Sequence, residues 1–311
     1  MLLRVACCVA MIRPSAALAA AGLTLAVASN AFAQDPPAAT LASSAPLASD
    51  SSAVLIAAGD IAACTSGASQ TARLLDNLPG TIIVAGDAGY PSRRDPNPYK
   101  TCYDSTWGRH KERTRPVPGN HDMQPRSVMR MYFNYFGEAA GQEPDGYYSF
   151  DVGRWHVLAL NSTIPMSPRS KQGRWVAADL EANQAKCTLA FMHHPRFSSG
   201  PHSKAFSTRD VFPLLVKGGV DIVISAHDHI YERFSPMLAD GSLDKAGVRQ
   251  FVVGTGGNML YPVQSIEPNS EISSNEAHGV LKLTLHPSSY AWEFVPVEGS
   301  TFRDVGRSEC H

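Results

Sequence analysis

The sequence of 311 residues has no excess of either charge. Its 27 lysines and arginines nearly balance its 28 aspartates and glutamates, which gives a formal net charge of −1. Proteins that hold nucleic acid by its phosphate backbone normally carry a broad basic face. The composition therefore argues against nucleic acid as a structural partner.

Several other patterns are also missing. No segment repeats, and no Cys-X-X-Cys pair occurs, which argues against a zinc–thiolate site. The glycine-rich segment 254–258 lacks the Lys-Ser/Thr of a phosphate-binding P-loop, so we interpret it as a turn near the functional site. Beyond the N-terminal region, no apolar stretch is long enough to span a bilayer.

The first 33 residues are typical of a secretory signal peptide. Arg4 and Arg13 come before an apolar stretch, and Ala31-Phe32-Ala33 forms a small-X-small cleavage pattern. A membrane anchor is the alternative, but the uncharged stretch 14–33 contains Ser and Asn and is short for a span. We expect a secreted or periplasmic protein that has no membrane attachment after cleavage.

Residues 34–52 consist mainly of Ala, Ser and Pro, with few large apolar side chains. Such a segment cannot bury a core, so we expect a flexible leader. The remaining 53–311 then form one folded domain. The overall composition, 44% hydrophobic, is sufficient for its core.

Short apolar runs and helical periodicities alternate along that domain. The apolar runs predict buried strands over residues 54–58, 81–85, 115–117, 155–160, 188–192 and 220–225. Apolar residues at three- and four-residue spacings predict helices over 70–77, 127–136, 172–183 and 209–216. Strands at 250–253, 280–285 and 290–295, without a long helix between them, predict a second, mostly antiparallel sheet. The pattern therefore indicates an α/β fold.

Metal-binding side chains stand in five short segments, four of which follow an apolar run. The segments contain Gly59-Asp60, Gly86-Asp87-Ala88-Gly89-Tyr90, Gly119-Asn120-His121-Asp122, Met192-His193-His194-Pro195 and His227-Asp228-His229. Strand ends share one rim of a sheet, so we expect these side chains to lie together. A site for two metal ions is the simplest use of so many ligands.

In order and residue type, these segments resemble the metallophosphoesterase superfamily, also called calcineurin-like phosphoesterases, and within it the purple acid phosphatase branch. The resemblance runs from about residue 54 to about residue 233. It implies a four-layer α/β/β/α sandwich. Plant-type purple acid phosphatases carry an additional β-sandwich domain ahead of the catalytic one, and we expect it to be absent here because only the leader precedes Val54.

The resemblance also implies which residues hold each metal ion. Asp87 is expected to bridge the two ions, because a carboxylate offers two oxygens. One ion would be completed by Asp60, Tyr90 and His229, and the other by Asn120, His193 and His227.

Tyr90 indicates which metal ions to expect at this site. Most metallophosphoesterases begin with Asp-X-His, whereas here Ala62 takes the histidine position and Tyr90 stands three residues after Asp87, as in purple acid phosphatases. Phenolate is a hard anionic ligand that suits a highly charged ion. We expect Fe(III) beside a divalent ion, with zinc, manganese or ferrous iron as candidates. The alternative for Tyr90 is a packing role in a loop.

Several further residues are expected to support catalysis. By resemblance, His121 binds the substrate phosphate and protonates the leaving oxygen, and Asp122, in place of the usual glutamate, holds His121. His194 supports the ligands without binding metal. His202 is either a second substrate histidine or simply a solvated loop residue.

Three polar residues have less specific roles. Arg196 pairs either with phosphate oxygens or with a surface carboxylate. Glu232 and Arg233 either orient the ligands or form a packed ion pair.

The cysteines fit an exported protein. Cys7 and Cys8 leave with the signal peptide, and the remaining four allow three disulfide pairings. We favour Cys64–Cys102, because both follow metal-motif loops, which leaves Cys187–Cys310.

The sequence thus predicts a binuclear metallohydrolase that cleaves small phosphate monoesters through in-line attack of a metal-activated hydroxide. Two alternatives remain open. One is a phosphodiesterase that uses the same site on a cyclic nucleotide or a lipid head group, and the other is a non-catalytic metal- or phosphate-binding protein.

Overall fold

Strands dominate the part of the chain that the computed structural model describes, residues 52–202 and 206–311. In chain order the strands are β1 (Ala53–Ala58), β2 (Thr81–Ala85), β3 (Thr114–Val117), β4 (Tyr148–Val152), β5 (Trp155–Ala159), β6 (Cys187–Phe191), β7 (Ile222–Ser225), β8 (Tyr231–Phe234), β9 (Arg249–Val253), β10 (Ser270–Ser274), β11 (Gly279–Leu285), β12 (Ser289–Pro296) and β13 (Val305–Glu309). The α-helices are α1 (Ser66–Asn77), α2 (Asn120–Met123), α3 (Arg126–Phe136), α4 (Lys171–Ala182) and α5 (Phe206–Lys217). Short helical turns cover Tyr99–Tyr103, Trp107–Arg113 and Gly137–Ala140.

These strands form two mixed sheets. The first has the order β13-β12-β11-β1-β2-β3, with β1, β2 and β3 parallel, β11 antiparallel to β1, and β11, β12 and β13 each antiparallel to the next. The second has the order β10-β8-β9-β7-β6-β5-β4, with a parallel centre of β5, β6, β7 and β9. The carboxyl ends of parallel strands are where α/β proteins place their ligands.

The two sheets face each other across an aromatic core. Trp155 of β5 meets Tyr290 of β12 with ring centroids 5.7 Å apart, and Phe251 of β9 meets Trp292 of β12 at 5.9 Å. On the outer face of the first sheet, α1 buries Ala68, Ala72 and Leu75. Val176 of α4 and Val211, Phe212 and Leu215 of α5 pack with Leu158, Ala190 and Val223 of the second sheet. The predicted four-layer α/β/β/α sandwich is confirmed.

The strands predicted after residue 233 are present, but they do not form the sheet that we expected. We expected a separate antiparallel sheet, whereas β9 joins the parallel centre of the second sheet and β11–β12 extend the first. Local sequence cannot show which edge a strand joins, because that choice depends on partners far away in the chain. The strands β4, β8, β10 and β13 were not predicted.

Both favoured disulfides are present, Cys64–Cys102 and Cys187–Cys310. The expected signal peptide, 1–33, and nearly all of the leader, 34–52, lie outside the described residues. Within the described part of the chain, no helix combines the length and the apolarity that crossing a membrane would require.

Candidate metal centre

The predicted metal ligands converge on one rim, where both sheets present the ends of parallel strands. Asp60 follows β1, Asp87 follows β2, and Asn120 opens α2 shortly after β3. His193 and His227 follow the neighbouring strands β6 and β7 of the second sheet. The rim therefore draws its side chains from both sheets, which no single stretch of sequence could show.

Three of these residues have left-handed backbone. Their φ angles are 59° at Asp60, 50° at Asp87 and 69° at His227. Such angles are uncommon for residues with a side chain, and strained backbone tends to cluster at functional sites. These left-handed residues lie in the turns that follow β1, β2 and β7.

One group of ligand atoms surrounds the Tyr90 hydroxyl. It donates to Asp60 Oδ1 at 2.7 Å and lies 3.3 Å from His229 Nε2. His229 Nε2 is also 3.3 Å from Asp60 Oδ1, while its Nδ1 lies 2.7 Å from the Met259 carbonyl oxygen. Since a carbonyl only accepts, Nδ1 carries the proton there, and in neutral His229 the Nε2 lone pair faces the group.

A second group surrounds His193. Its Nδ1 donates to the Ala85 carbonyl oxygen at 2.9 Å, so in the neutral ring Nε2 carries a lone pair. That nitrogen lies 3.1 Å from Asn120 Oδ1, 3.1 Å from His227 Nδ1 and 3.3 Å from Asp87 Oδ2. Asp60, Asp87 and His193 each bring one ligand atom within 4.8 Å of the others, so the two groups adjoin.

This donor set fits metal ions. Asp60 and Asp87 are fully or almost fully buried, at 0% and 1% exposure, and buried carboxylates need a compensating charge. Around His193 Nε2, oxygen and nitrogen lone pairs converge from several sides. Burial lowers the pKa of His193, but the charge and hydrogen bond of Asp87, the charge of Asp60 and the hydrogen bond to Ala85 together outweigh burial and raise that pKa to about 9. The group thus favours a positive charge at its centre.

Two glycines give the ligands their room. Gly86 has φ +82°, and a Cβ there would lie 2.5 Å from His193 Nδ1. A Cβ on Gly119 would collide with Asp87 Oδ1. Both positions require glycine because the backbone passes directly against a predicted ligand.

His121 lies exposed beside this rim. Its backbone N–H donates to Asp87 Oδ1 at 2.9 Å, and its ring centroid is 4.7 Å from that of Tyr90. This location is open to a substrate, as the prediction for His121 requires.

Asp122 does not have the expected contact. Its buried carboxylate accepts from the N–H groups of Gly119 (2.8 Å), Ala88 (3.2 Å) and Gly89 (3.2 Å), and from the Tyr99 hydroxyl (2.7 Å). Burial raises its pKa to about 7. Asp122 therefore holds the loop after β2 against the loop after β3, and the expectation that it holds the His121 side chain was wrong.

His194 and His202 lie on the His227 side of the rim. His194 Nδ1 is 2.9 Å from Ser162 Oγ, and its ring centroid is 4.4 Å from that of His227. Burial lowers the pKa of His194 to about 3. The His202 side chain is 48% exposed, and its ring centroid is 5.1 Å from that of His227.

The three remaining predicted residues are not brought into the rim by any described contact. Arg196 donates to the Ala239 carbonyl oxygen and lies over the Phe197 ring, and it forms no ion pair with a carboxylate among the described residues; its pairing with phosphate stays a prediction. Glu232 accepts from Ser199 and Ser270.

Arg233 pairs with Asp304 at 2.8 Å and with Glu271, which is the packed ion pair of the two alternatives. Its partners lie late in the chain, so no local pattern predicted them.

A segment of the rim that sequence reasoning left without a role is 258–261. The Met259 carbonyl oxygen accepts from His229, and the Tyr261 ring stacks on the His229 ring, with centroids 3.9 Å apart and planes 10° apart. The turn predicted at 254–258 brings this segment in, with the Asn258 N–H donating to the Asp60 carbonyl oxygen at 2.8 Å. The glycine-rich composition of residues 254–258 was the sequence pattern that indicated this turn.

Comparison with known proteins agrees with this geometry. Residues 53–231 match the family described as calcineurin-like phosphoesterase. The chain is 30% identical over 245 residues to the probable purple acid phosphatase 20 of Arabidopsis thaliana, which aligns 68% of this chain with 54% of the relative. It is 29% identical to purple acid phosphatase 21 of the same plant, over 75% of this chain and 59% of the relative. The chain thus spans a little over half the length of these relatives.

Two solved structures share the fold at low identity. Purple acid phosphatase PPD1 from yellow lupin (Lupinus luteus) seeds superposes with a TM-score of 0.66 at 17% identity, covering 83% of this chain and 54% of that one. GAP50, the anchor in the inner membrane complex of Plasmodium, gives 0.63 at 17% identity, covering 84% and 90%. The matched segment 53–231 is more than half of the chain and contains every predicted ligand position. This chain therefore belongs to the calcineurin-like phosphoesterase family, in its purple acid phosphatase-like branch.

Proposed function

We propose that this protein is a binuclear metal-dependent hydrolase of small phosphate monoesters. The observation that carries the proposal is the pair of adjoining donor groups, one around the Tyr90 hydroxyl and one around His193 Nε2. We expect Asp87 to serve both groups, and the support is that Asp60 and His193 each have a ligand atom within 4.8 Å of one of its oxygens. A family fold by itself would not support activity, since function depends on the site.

The chemistry of the two groups suits two different ions. The first group, together with Asp87, offers a phenol, two carboxylates and one imidazole, and its hard oxygen ligands favour Fe(III). The second offers two imidazoles, an amide oxygen and one carboxylate, and suits zinc, manganese or ferrous iron. When bound, such a pair lowers the pKa of a bound water and clamps the phosphate.

The chain's own residues then have distinct tasks. Asp60 and Asp87 supply buried negative charge that holds the ions, and the Met259 and Ala85 carbonyls fix the rings of His229 and His193. His121, exposed at the rim, binds the phosphate and donates a proton to the leaving oxygen. His202 binds the substrate phosphate from the side of the rim where His227 lies.

We further propose that residues 53–311 form the catalytic domain and that the mature protein is secreted or periplasmic. The two disulfides support this location, because oxidising compartments are where disulfides form and persist. The substrate would be a free small phosphate ester.

The decisive experiment compares a chromogenic phosphomonoester with its matching diester, with iron plus zinc or manganese supplied. Asp87→Asn removes the central carboxylate, and Asp221→Asn is a matched control, since Asp221 is also buried but lies at the opposite end of β7. We expect monoester turnover that is lost in Asp87→Asn and kept in Asp221→Asn. Dominant diester turnover would replace the monoester assignment, and a metal-loaded protein without turnover would favour a binding role.

The metal assignment has its own test. Tyrosinate bound to Fe(III) absorbs visible light, so the active protein should be coloured and Tyr90→Phe should lose that band. An active, fully metallated native protein without the band would remove Fe(III) from the proposal.

A further inference from the structure

Asp228 lies between the predicted ligands His227 and His229, yet both of its carboxylate oxygens accept hydrogen bonds from another loop, residues 198–202. Oδ2 accepts from the Ser198 hydroxyl at 2.5 Å. Oδ1 accepts from the His202 backbone N–H at 2.9 Å and lies 3.2 Å from His202 Nδ1. The carboxylate is fully buried, with 0% exposure, so these contacts are well shielded from solvent.

The loop 198–202 is packed closely onto this carboxylate. A Cβ on Gly200 would lie 2.6 Å from Asp228 Oδ1, so the loop backbone passes directly against the carboxylate. Its neighbour Ser199 is held by the buried Glu232. The loop is therefore fixed by two carboxylates, one before and one after His229 in the chain.

These contacts determine how His202 is oriented. Because a carboxylate only accepts, the His202 nitrogen that faces it must be Nδ1–H. Nε2, on the other side of the ring, then points away from Asp228. The ring lies near His227 and Tyr261, with centroids 5.1 and 5.4 Å away, so this orientation keeps His202 at the rim.

We propose that Asp228 is a positioning residue that fixes the orientation and the Nδ1–H tautomer of His202, so that His202 Nε2 meets the substrate phosphate. The proposal rests on the proposed function, since it assigns the phosphate to this rim. The contact with Asp228 also holds the His202 ring in one orientation, although a side chain with 48% exposure would be expected to move freely.

A double-mutant cycle tests the coupling. Asp228→Asn keeps the shape that the tight packing demands but removes the charge, and we expect the affinity for inorganic phosphate and kcat/KM for the monoester to fall about tenfold to a hundredfold, as for other hydrogen bonds to charged groups. In a His202→Ala background the same change should cost less than about twofold, because its partner is already gone. Metal content should stay unchanged, and Asp221→Asn should alter neither quantity. If Asp228→Asn lowers kcat/KM by the same factor in the native and His202→Ala backgrounds, the two residues are not coupled and the proposal fails. Metal loss in Asp228→Asn would also overturn it.

A second measurement needs no turnover. In protein loaded with diamagnetic zinc, nitrogen-15 NMR of the imidazoles should show a protonated His202 Nδ1 whose resonance moves in Asp228→Asn and not in Asp221→Asn. An unprotonated Nδ1, or identical spectra in both variants, refutes the positioning role even in a protein that hydrolyses no ester. Absent turnover with the expected spectra would instead refute only the proposed function.

Discussion

The close approach of backbone to the predicted ligand His193, at Gly86, allows a quantitative prediction for Gly86→Ala. At φ +82° a residue with a Cβ is strained by about 1–2 kcal/mol. The new Cβ would also lie 2.5 Å from His193 Nδ1 and 2.6 Å from its Cβ and Cγ. Overpacking of this kind costs about 1–3 kcal/mol. We therefore expect Gly86→Ala to lose about 2–5 kcal/mol of unfolding free energy, and to lose metal because His193 must move.

Gly219→Ala is a matched control, because it separates backbone strain from the collision. Gly219 has φ +71°, but nothing lies within 4 Å of its would-be Cβ, so only the strain of about 1–2 kcal/mol applies. Urea unfolding and metal analysis of both variants give the comparison, and each kcal/mol should also lower Tm by about 2–4 °C. If Gly86→Ala is no less stable than Gly219→Ala and retains full metal, the close approach of Gly86 to His193 does not constrain the site.

Three further predictions concern stability. Arg233→Ala should cost about 3–5 kcal/mol, because it leaves the buried Asp304 carboxylate without its cation and with the Tyr231 hydroxyl as a partner, while metal content is unchanged; lost metal with unchanged stability would place Arg233 in the site instead. Hydrogen bonds that protonated His156 donates to Asp179, and then to Asp151, raise the pKa of His156, so its contribution to stability is complete below its unfolded pKa and is lost as pH rises through the folded pKa. His156→Gln should therefore destabilise more at pH 6 than at pH 9 in urea unfolding, and an equal effect at both would contradict this. Replacing Cys187 and Cys310 by Ser should cost about 2–5 kcal/mol, since the disulfide closes a loop with a sequence separation of 123; a change below about 1 kcal/mol would show that the unfolded chain is not restrained by it.

The sequence predicted the local elements of the rim well. Apolar runs located β1, β2, β6 and β7 to within about two residues, and the side chains after them proved to lie together. Both follow from local rules: buried strands are apolar, and parallel strands end at a common edge. The disulfide partners were also favoured correctly, although sequence alone left three pairings open.

The contacts of the supporting residues could not be obtained in this way. Asp122 holds loop backbone instead of His121, and Arg233 pairs with Asp304, which is 71 residues away. Asp228, passed over between two histidines, reaches back to Ser198. Each of these contacts joins segments that are brought together only when the two sheets pack, so no spacing in the sequence contains them.

The sequence by itself thus determined the chemistry of this protein: which side chains are available, and that they follow buried strands in an order resembling one family. Only the tertiary structure decided which of those side chains share a group, where β9 and β11 enter the two sheets, and which carboxylates hold loops. The physical reason is that residue type and periodicity are local properties. Pairing, burial and the direction of a side chain depend on partners that the folded chain supplies from elsewhere.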